Sequence, residues 1–413
     1  MALIVQKYGG TSVGDIERIK NVAQRVKTVY EQGHKIVVVL SAMAGVTNAL
    51  INLAHQMSPQ PDSRELDVLM ATGEQQSIAL FSMAAKDLGM HAHSLLGFQA
   101  SIKTDNMFGR ARITSVNTAR IEDMLNRGVL VAVAGFQGLD TQGDVTTLGR
   151  GGSDTTAVAL AAALKADLCE IYTDVEGVYT ADPNMVAKAR KLRQISYEEM
   201  LEMASLGAKV LDIRSVAMAA KFGVHVHVRS TFSDQEGTMV VPENIIDEKL
   251  TVRGVTYNKN DARIRISQVP DHPGTAYKLF APVAEAGIVI DVIVQNISKE
   301  GYTDLTFTVP KTDFQRAMTI LESQIIPMFK AGKLEGDTDI AKVSIVGIGM
   351  RNHSGVATKM FDVLARENIN IQLISTSEIK ISCVIDEKYT ELAVRSLHEA
   401  FGLDKDNPPQ AEA

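Results

Sequence analysis

The sequence predicts an α/β protein with an open domain built on a parallel sheet, followed by two ferredoxin-like βαββαβ domains. Short apolar runs lead directly into turns of glycine and other small residues. After several of those turns, apolar residues recur at helical spacing. Strand, turn and helix thus follow one another as in a βαβ unit. Past residue 250 the pattern changes, and one segment of the chain repeats. At 413 residues the chain is long enough for more than one domain.

Composition indicates a globular protein and excludes several kinds of partner. Hydrophobic residues make up 45% of the chain and charged residues 22%, and the net charge of −7 argues against nucleic acid. No apolar run approaches the roughly 18 residues of a membrane helix, and residues 1–7 lack the layout of a signal peptide. We therefore expect a cytoplasmic protein without a membrane partner. Its two cysteines, Cys169 and Cys383, are expected to be buried free thiols.

The beginning of the chain has the pattern of a βαβ unit. Residues 3–7 predict a short apolar strand, and the turn Gly9-Gly10-Thr11-Ser12 follows it directly. From 16 to 29, apolar residues recur at the spacing of one helix face. Residues 36–40 are all apolar, as in a central strand of a parallel sheet.

The most informative stretch is 148–156, which reads Leu-Gly-Arg-Gly-Gly-Ser-Asp-Thr-Thr. It stands between a predicted strand at 129–135 and a predicted helix at 157–164, so the Ser-Asp-Thr at 153–155 occupies N-cap positions. Glycines let a backbone approach a ligand closely, and a helix N-terminus presents free N–H groups to an anion. Arg150 adds a planar guanidinium that matches a carboxylate or a phosphate. The alternative is a tight turn that needs glycine only for its dihedral angles.

Polar residues gather where the predicted strands end. The group comprises Lys7, Ser41, Thr47, Arg150 and Thr173, which closes a further strand at 168–173. Ligands of open α/β sheets bind beyond the carboxyl ends of the strands. The sequence therefore predicts one binding site at this edge of the sheet.

A helix predicted at 66–88 carries Gly73 and Glu74 near its middle. Glycine lowers helix stability, so either a break in the helix or a site is expected there. The alternative for Glu74 is a solvated surface carboxylate.

Two segments of the C-terminal part, 272–293 and 353–374, align at an offset of 81 residues. Each copy predicts strand, helix, strand, strand and helix, and a closing strand would complete the ferredoxin-like plan. We expect domains at 1–250, 262–335 and 341–405. A duplicated small domain behind an anion-binding domain suggests regulation, and the alternative is a structural dimerisation module.

Four motifs together resemble the aspartate kinase family, in its order and spacing, and with the repeat they cover nearly the whole chain. They are Lys7-Tyr8-Gly9-Gly10-Thr11-Ser12, Ser41-Ala42-Met43 with Gly45-Val46-Thr47-Asn48, Gly149-Arg150-Gly151-Gly152-Ser153-Asp154, and Thr173-Asp174 with Gly177-Val178-Tyr179. The resemblance implies a three-layer α/β/α amino-acid-kinase domain and two ACT domains. It implies transfer of the γ-phosphoryl group of ATP to the β-carboxylate of L-aspartate (EC 2.7.2.4), giving 4-phospho-L-aspartate. That step opens the biosynthesis of lysine, threonine, methionine and isoleucine.

This reaction suits the residues, because a carboxylate nucleophile is already ionised at neutral pH and needs no general base. What remains is to hold two anions together and to stabilise the charge on the transferring group. By resemblance, the catalytic residues are Lys7, Arg150 and Asp154. The substrate-binding residues are Ser41, Thr47, Glu74, Arg150, Gly151, Gly152 and Ser153. The nucleotide-binding residues are Lys7, Tyr8, Gly9, Gly10, Thr173, Asp174, Tyr179, Asn184, Lys209 and Val210.

Within that set, Arg150 is expected to grip the α-carboxylate of aspartate and Glu74 to receive its ammonium group. Asp154 either organises Lys7 or holds the Mg²⁺ that accompanies ATP, and the sequence leaves both open. Several family members carry arginine where this chain has Asn184, so a side-chain phosphate contact there is in doubt.

Two rival functions remain at the sequence level. Another amino-acid kinase, such as an acetylglutamate or uridylate kinase, shares the glycine loops but lacks the paired repeat and the 41–48 motif. A catalytically inactive amino-acid sensor would use only the repeats. The presence of Lys7, Glu74, Arg150 and Asp154 argues against the sensor.

The repeat also predicts where a regulatory amino acid binds. Asp271 of the first copy aligns with Asn352 of the second, and Gln295 with Thr376, so only the first copy keeps a carboxylate beside its glycine turn. We expect lysine, threonine or both to bind mainly there, with Asn370 and Ile371 of a partner chain completing the site. The protein is accordingly expected to be a homo-oligomer joined through its ACT domains. The full predicted set is Asp271, Gly274, Thr275, Ala276, Ile290, Asp291, Gln295, Val356, Ala357, Asn370, Ile371, Glu378 and Ile379.

Overall fold

The structure is a computed structural model, and it describes residues 1–207, 210–245, 251–296, 301–329 and 332–405, without the side chain at 352. The chain divides into two compact units. The first contains Met1–Tyr179 and Lys191–Asp247, and the second contains Thr180–Arg190 and Glu248–Ala413.

The first unit alternates strands and helices along most of its length. Its strands are β1 (Leu3–Tyr8), β2 (Lys35–Leu40), β3 (Ala92–Leu95), β4 (Ile102–Thr104), β5 (Ile113–Val116), β6 (Leu130–Ala134), β7 (Gln137–Leu139), β8 (Val145–Thr147), β9 (Leu168–Thr173), β10 (Gln194–Ser196), β11 (Val226–Ser230) and β12 (Thr238–Val241). Its helices are α1 (Ile16–Glu31), α2 (Val46–Met57), α3 (Ser63–Asp87), α4 (Ala119–Asn126), α5 (Gly152–Leu164), α6 (Tyr197–Ser205) and α7 (Ile213–Phe222), with a 3-10 turn at Glu243–Ile245.

The main sheet of this unit has the order β10-β12-β11-β9-β1-β2-β6-β3 in the described residues. From β11 through β9, β1, β2 and β6 to β3, neighbouring strands are parallel. Apolar side chains of α1 and α3 pack on one face, whereas α5 contacts β1 and β9. The fully apolar strands are buried on both faces, which is why their sequences do not alternate. The predicted three-layer α/β/α architecture is confirmed.

A smaller sheet of four short strands lies beside α3 in this unit, in the order β5-β4-β7-β8. The pairs β4–β5 and β7–β8 are antiparallel hairpins, and β4 pairs with β7 in parallel. Strand β8 ends at Thr147, and the glycine stretch that begins at Leu148 leads from it into α5. This sheet therefore fixes where the glycine stretch starts.

The second unit contains the two copies of the repeat. Its strands are β13 (Gly254–Asn258), β14 (Asp261–Pro270), β15 (Ile293–Gln295), β16 (Tyr302–Pro310), β17 (Leu334–Asp337), β18 (Ile340–Val346), β19 (Leu373–Thr376) and β20 (Lys380–Asp386). Its α-helices are α8 (Thr275–Glu285), α9 (Phe314–Ile320), α10 (Ile326–Phe329), α11 (Val356–Arg366) and α12 (Thr390–Ala400). Shorter turns are the 3-10 segments Lys311–Asp313, Ile348–Asn352 and Glu387–Tyr389 and the π-helix Leu321–Ile325.

Each copy builds a four-stranded antiparallel sheet, as the ferredoxin-like plan requires. The first sheet has the order β15-β16-β14-β17, so its closing strand follows its own last helix. The second has the order β13-β18-β20-β19. Its closing strand is β13, which precedes the first copy in the chain and pairs antiparallel with β18. The second domain is therefore discontinuous in sequence.

The last helix predicted for the first copy is not a single α-helix. It is a 3-10 turn, an α-helix, a π-helical segment and a last α-helical turn. Ala317, Leu321 and Ile325 are fully buried at a constant spacing of four residues. An α-helix has 3.6 residues per turn and would rotate such a series off the core. The wider π turn keeps these three side chains on one face.

The short segment Thr180–Arg190 departs from the first unit and belongs to the second. The Thr180 hydroxyl lies 2.9 Å from Nε2 of His398, and its carbonyl accepts a hydrogen bond from the N–H of Val255. Ala181 and Val186 are buried in the core of the second ACT domain.

Both cysteines are free and buried, in agreement with the sequence expectation. In the described part of the chain, no helix has both the length and the apolar character needed to cross a bilayer.

Candidate active site

The glycine stretch forms a tight turn that opens α5. Gly149 and Gly151 have φ values of 75° and 70°, a conformation that favours glycine. Helix α5 begins at Gly152. Its N-cap residue is Gly151, so no side chain makes a capping hydrogen bond there. The expectation that Ser153, Asp154 and Thr155 lie at the N-cap was wrong, because they follow the N-cap by two to four residues and lie within the helix. A Cβ at Gly151 would lie 2.2 Å from Asp212, so glycine is required there and the helix starts immediately afterwards.

A cavity of about 340 Å³ lies at the carboxyl ends of β1, β2 and β6. Its walls come from five separate stretches of the first unit. They are Lys7 and Gly10, then Ser41, Ala42, Met43, Ala44, Gly45 and Thr47, then Glu74, then Phe136, and last Gly149, Arg150, Gly151, Gly152, Ser153 and Asp154. The structure thus brings the predicted catalytic and substrate-binding residues together around one cavity.

Lys7 and Asp154 form an ion pair on one wall of this cavity. The lysine Nζ lies 2.6 Å from Oδ1 of Asp154, and the two side chains are 11% and 12% exposed. Lys7 is next to last in β1, and Asp154 lies in the first turn of α5. An ammonium group and a helix N-terminus therefore face the same space, which favours the binding of an anion.

At Gly10 the turn after β1 approaches the turn after β2 too closely for a side chain. A Cβ at Gly10 would lie 2.9 Å from the carbonyl oxygen of Ala42, and one at Gly9 would lie 3.4 Å from Nζ of Lys7. Glycine is thus needed at position 10 for close packing of the two turns. At Gly9 the absence of a side chain leaves the backbone beside Lys7 uncovered.

Glu74 places a buried carboxyl group in the wall of the same cavity. Its Oε1 accepts a hydrogen bond from the N–H of Ala42 at 3.1 Å, and its Oε2 has no hydrogen-bond partner among the described residues. Burial raises the pKa of the Glu74 carboxyl to about 7. A buried oxygen without a partner, in the wall of a cavity, is suited to receive a cationic group.

The helix that carries Glu74 is unbroken from Ser63 to Asp87. Of the two expectations for Gly73, a break is therefore wrong, and a site stays a prediction. A Cβ at Gly73 would lie 2.8 Å from Cβ of Ala42, so glycine lets the turn after β2 rest on the helix. That contact brings the N–H of Ala42 to Glu74.

Arg150 is exposed at the mouth of the cavity, and its backbone is held from outside. The guanidinium of Arg214 donates hydrogen bonds to the carbonyls of Leu148 and Arg150. Asp212, to which the sequence assigned no role, caps α7 by accepting from the N–H of Arg214 at 3.0 Å. Because the backbone is fixed, the Arg150 side chain is the adjustable part of this wall.

Six residues of the cavity wall were not chosen as site residues at the sequence level, namely Ala42, Met43, Ala44, Gly45, Phe136 and Gly149. Phe136 lines the cavity with a φ of 69°, which is rare for an aromatic residue. Its position just after β6 and Gly135 was the available signal, because other strand ends already carried candidates. Met43 also lines the cavity, inside a motif in which only Ser41 and Thr47 were chosen.

The predicted nucleotide-binding residues are only partly gathered by the structure. The N–H of Gly9 donates to the carbonyl of Tyr172 at 3.2 Å, which places Gly9 beside Thr173. The Tyr8 side chain, however, is fully buried. Its ring stacks on that of Tyr172, with 4.6 Å between the two ring centroids. Any nucleotide contact of Tyr8 is therefore left to its backbone.

The remaining nucleotide candidates are not among the residues that line this cavity. Thr173 donates to Asp174 at 3.2 Å, and the Tyr179 hydroxyl donates to Glu176 at 3.2 Å. Asn184 belongs to the second unit. The predicted Lys209 lies outside the described residues, and its neighbour Val210 is half-buried.

The predicted regulatory residues lie in the second unit. The Gln295 amide donates to Asp271 Oδ1 at 3.3 Å, so the two side chains that distinguish the first copy are in contact. Glu378 pairs with Arg351 at 3.3 Å. Gly274 and Gly355 have positive φ and precede α8 and α11, as expected. The other members of the set are the exposed Ala276 and Asn370, the partly buried Ile290, Ala357 and Ile371, the buried Thr275, Val356 and Ile379, and Asp291, which pairs with Lys342.

Comparison with known proteins agrees with this architecture. Residues 2–230 match the amino acid kinase family, and residues 267–325 and 343–401 each match the ACT domain. The aspartate kinase of Stutzerimonas stutzeri is 55% identical over 405 residues, which is 98% of each chain. The chain belongs to the aspartate kinase family.

Solved structures of aspartate kinases share this fold. Aspartokinase III of Escherichia coli in complex with aspartate and ADP (R-state) matches 97% of this chain and 100% of its own, with a TM-score of 0.80 and 25% identity. The same enzyme in complex with lysine and aspartate (T-state) matches 96% of this chain and 99% of its own, with a TM-score of 0.76. As a member of the aspartate kinases, this chain is an enzyme of the amino acid kinase family.

Proposed function

We propose that this protein transfers the γ-phosphoryl group of ATP to the β-carboxylate of L-aspartate. The observation that carries the proposal is the cavity wall itself, where one unpaired buried carboxyl oxygen and two cations surround a space of amino-acid size. The product, 4-phospho-L-aspartate, would enter the biosynthesis of lysine, threonine, methionine and isoleucine. A cytoplasmic location is part of the same proposal.

Each end of an aspartate molecule has a matching group in the wall. The free Oε2 of Glu74 is available to the ammonium group, and the guanidinium of Arg150 suits a carboxylate through two parallel hydrogen bonds. Ser41, Thr47 and Ser153 line the same cavity and supply hydroxyl groups. The acceptor carboxylate is then directed to Lys7.

Transfer requires that two anions be held together. The Lys7 ammonium and the N-terminus of α5 lie on one wall, so both favour the negative charge that builds up on the moving group. Since the attacking carboxylate is already ionised, catalysis rests on position and charge.

The residues present also fit a Mg²⁺ ion that arrives with ATP. Within the described ranges, no cluster of three His, Cys, Asp or Glu side chains forms a metal site of its own. Mg²⁺ bound to a nucleotide needs only one or two protein carboxylates, and Asp154 stands next to Lys7 in the cavity wall. When bound, the ion would neutralise phosphate charge, while Asp154 keeps Lys7 in place before it arrives.

A coupled ADP-release assay tests the proposal. The purified protein is given ATP with aspartate, N-acetylglutamate or UMP as the acceptor. Turnover with aspartate alone is expected, together with a product that hydroxylamine traps as a hydroxamate, since acyl phosphates react in this way. Turnover with either of the other acceptors would assign the chain to another amino acid kinase. No turnover with any of them would favour an amino-acid sensor.

Glu74→Gln is expected to raise the KM for aspartate about tenfold at pH 8, because it removes the counter-charge of the ammonium group. The KM for ATP should change little. The exposed Glu65 on the same helix provides the control, since Glu65→Gln should leave both constants unchanged. Unchanged aspartate kinetics in Glu74→Gln would return Glu74 to a structural role.

The raised pKa of Glu74 fixes the sign of two pH effects. Below pH 7 the carboxyl of the free enzyme is protonated, so the aspartate KM of the wild type should rise as the pH falls through about 7. Because the folded pKa lies above the unfolded one, the stability that Glu74 contributes is present at low pH and is lost as the pH rises through about 7. Glu74→Gln should therefore be more stable than the wild type at pH 8, and thermal unfolding at pH 6 and pH 8 measures this.

We further propose that lysine, threonine or both inhibit the enzyme through the first ACT domain, in a homo-oligomer. The Asp271–Gln295 contact beside the turn at Gly274 supports this, because it joins an acceptor for an ammonium group to a helix start. The second copy has Asn352 and Thr376 at the aligned positions. Inhibition then acts by a shift between two states of the enzyme, since the effector and substrate bind different domains.

Asp271→Ala is expected to abolish inhibition by lysine and threonine while the uninhibited kcat stays near that of the wild type. Inhibition curves and thermal midpoints are measured on the same sample. If Asp271 only stabilises the turn before Gly274, the midpoint falls and inhibition persists. Asp304→Ala on the neighbouring strand β16, which removes an ion pair with Arg265, is a control that should keep inhibition.

A further inference from the structure

A second buried carboxylate lies on α3, two turns before Glu74 and outside the cavity wall. Asp67 is fully buried. It accepts hydrogen bonds from the N–H and the hydroxyl of Thr147, each at 2.7 Å. It also accepts from the N–H of Gly109, at 2.9 Å and 3.0 Å to its two oxygens. Only donors converge on this group, so an ionised carboxylate satisfies them all.

These hydrogen bonds join two segments that meet at the glycine stretch. Thr147 is the last residue of β8, three residues before Arg150. The N–H of Ala111 donates to the carbonyl of Thr147 at 2.9 Å, which ties the loop around Gly109 to the same strand end. A Cβ at Gly149 would lie 2.8 Å from the carbonyl oxygen of Gly109, so that loop also forms the surface against which the Gly149 turn rests.

Helix α3 thus holds two parts of the cavity wall in place. Glu74 holds the turn after β2 through the N–H of Ala42, and Asp67 holds the strand end that leads to Arg150. The two acidic residues are seven positions apart, so they lie on one face of α3. The separation of the ammonium-binding and carboxylate-binding groups is therefore set along a rigid helix.

We propose that Asp67 is a positioning residue that acts on aspartate through Arg150. The proposal rests on the proposed function, in which Arg150 binds a carboxylate of the substrate. Asp67 is not among the residues that line the cavity, and its effect is to keep the start of the Gly149 turn in one place. A bidentate contact depends steeply on position, since a shift of about 1 Å can cost up to 100-fold in rate.

Asp67→Asn is expected to raise the KM for aspartate about tenfold, because an amide places an N–H group among N–H donors and displaces the strand end. The KM for ATP and the kcat at saturating aspartate should stay within about twofold of the wild type. A second pair of variants keeps Asp67 intact. Thr147→Val removes the hydroxyl donor and should also raise the KM for aspartate. Thr147→Ser retains the hydroxyl, so its KM for aspartate should stay near that of the wild type.

Asp140→Ala is the control for loss of stability. Asp140 is also a buried carboxylate, and it accepts from the N–H groups of Gln142 and Asp144 in the hairpin between β7 and β8. That hairpin lies at the opposite end of β8 from Arg150. Its variant should lower the thermal midpoint and leave the aspartate KM unchanged.

A double variant shows whether Asp67 acts through Arg150. If it does, Asp67→Asn should add little to the aspartate KM of Arg150→Lys, because the same contact has already been lost. Multiplied effects in the double variant would overturn the proposal, as would an Asp67→Asn protein with a lower midpoint and a wild-type aspartate KM. Failure of the proposed function itself is distinguishable, because Arg150→Lys alone would then leave the aspartate KM unchanged.

Discussion

Replacement of Lys7 by alanine is expected to lower kcat by about 100-fold or more, as for other groups that stabilise charge in a transition state. The Lys7 ammonium lines the cavity in which we propose that the phosphoryl group is transferred, and its charge should matter most when negative charge accumulates there. The KM for ATP should change less than kcat. Steady-state kinetics with both substrates varied measures the two effects separately.

The same variant leaves Asp154 buried without its cation, so its stability must be followed as well. Lys35→Ala is the control, since Lys35 lies at the start of the adjacent strand β2, at the opposite end of the sheet, where it donates to Asn126. A folded Lys7→Ala protein that keeps its kcat and loses only ATP affinity would make Lys7 a binding residue.

Replacement of Arg150 by lysine should raise the KM for aspartate by about 10- to 100-fold, since hydrogen bonds to a charged group contribute about 1.5–3 kcal/mol. Lysine keeps the positive charge but lacks the planar fork that fits a carboxylate. ATP binding should be nearly unchanged. Because the backbone at Arg150 is held by Arg214 and not by its own side chain, this substitution should not disturb the turn.

An exposed arginine elsewhere in the first unit provides the control. Arg127 pairs with Asp123 on the surface, and Arg127→Lys should leave both KM values at the wild-type level. If Arg150→Lys also keeps both constants, Arg150 is a structural residue and the carboxylate-binding role is lost.

Most of the first unit could be predicted because parallel strands are buried on both faces. Residues 36–40 and 130–134 are continuous apolar runs, and a strand must end where polar residues begin. Strand ends at one edge of a sheet are neighbours in space. Lys7, Ser41 and Arg150, although far apart in sequence, were therefore expected to share one site.

Other features could not be predicted, because they depend on contacts that no local pattern records. Asp67 and Glu74 resemble the polar face of a solvated helix, and only the packed turns beside them show that they are buried. Phe136 lines the cavity through a backbone conformation that aromatic residues rarely adopt. The role of β13 was missed because its partner β18 begins more than 80 residues later.

The place of β13 in the chain constrains the order in which the C-terminal unit forms during synthesis. The first ACT sheet is complete once Asp337 has been made. The second sheet must wait for residues up to Asp386, so β13 remains without its partner while the intervening chain is made, which takes on the order of ten seconds.

The segment Thr180–Arg190 waits still longer, because His398, its hydrogen-bond partner, is among the last described residues. Thr180–Arg190 is therefore the first part of the second unit to be synthesised and the last to be packed against its neighbours. A nascent chain that stops before α12 leaves this segment and the core face of β13 uncovered.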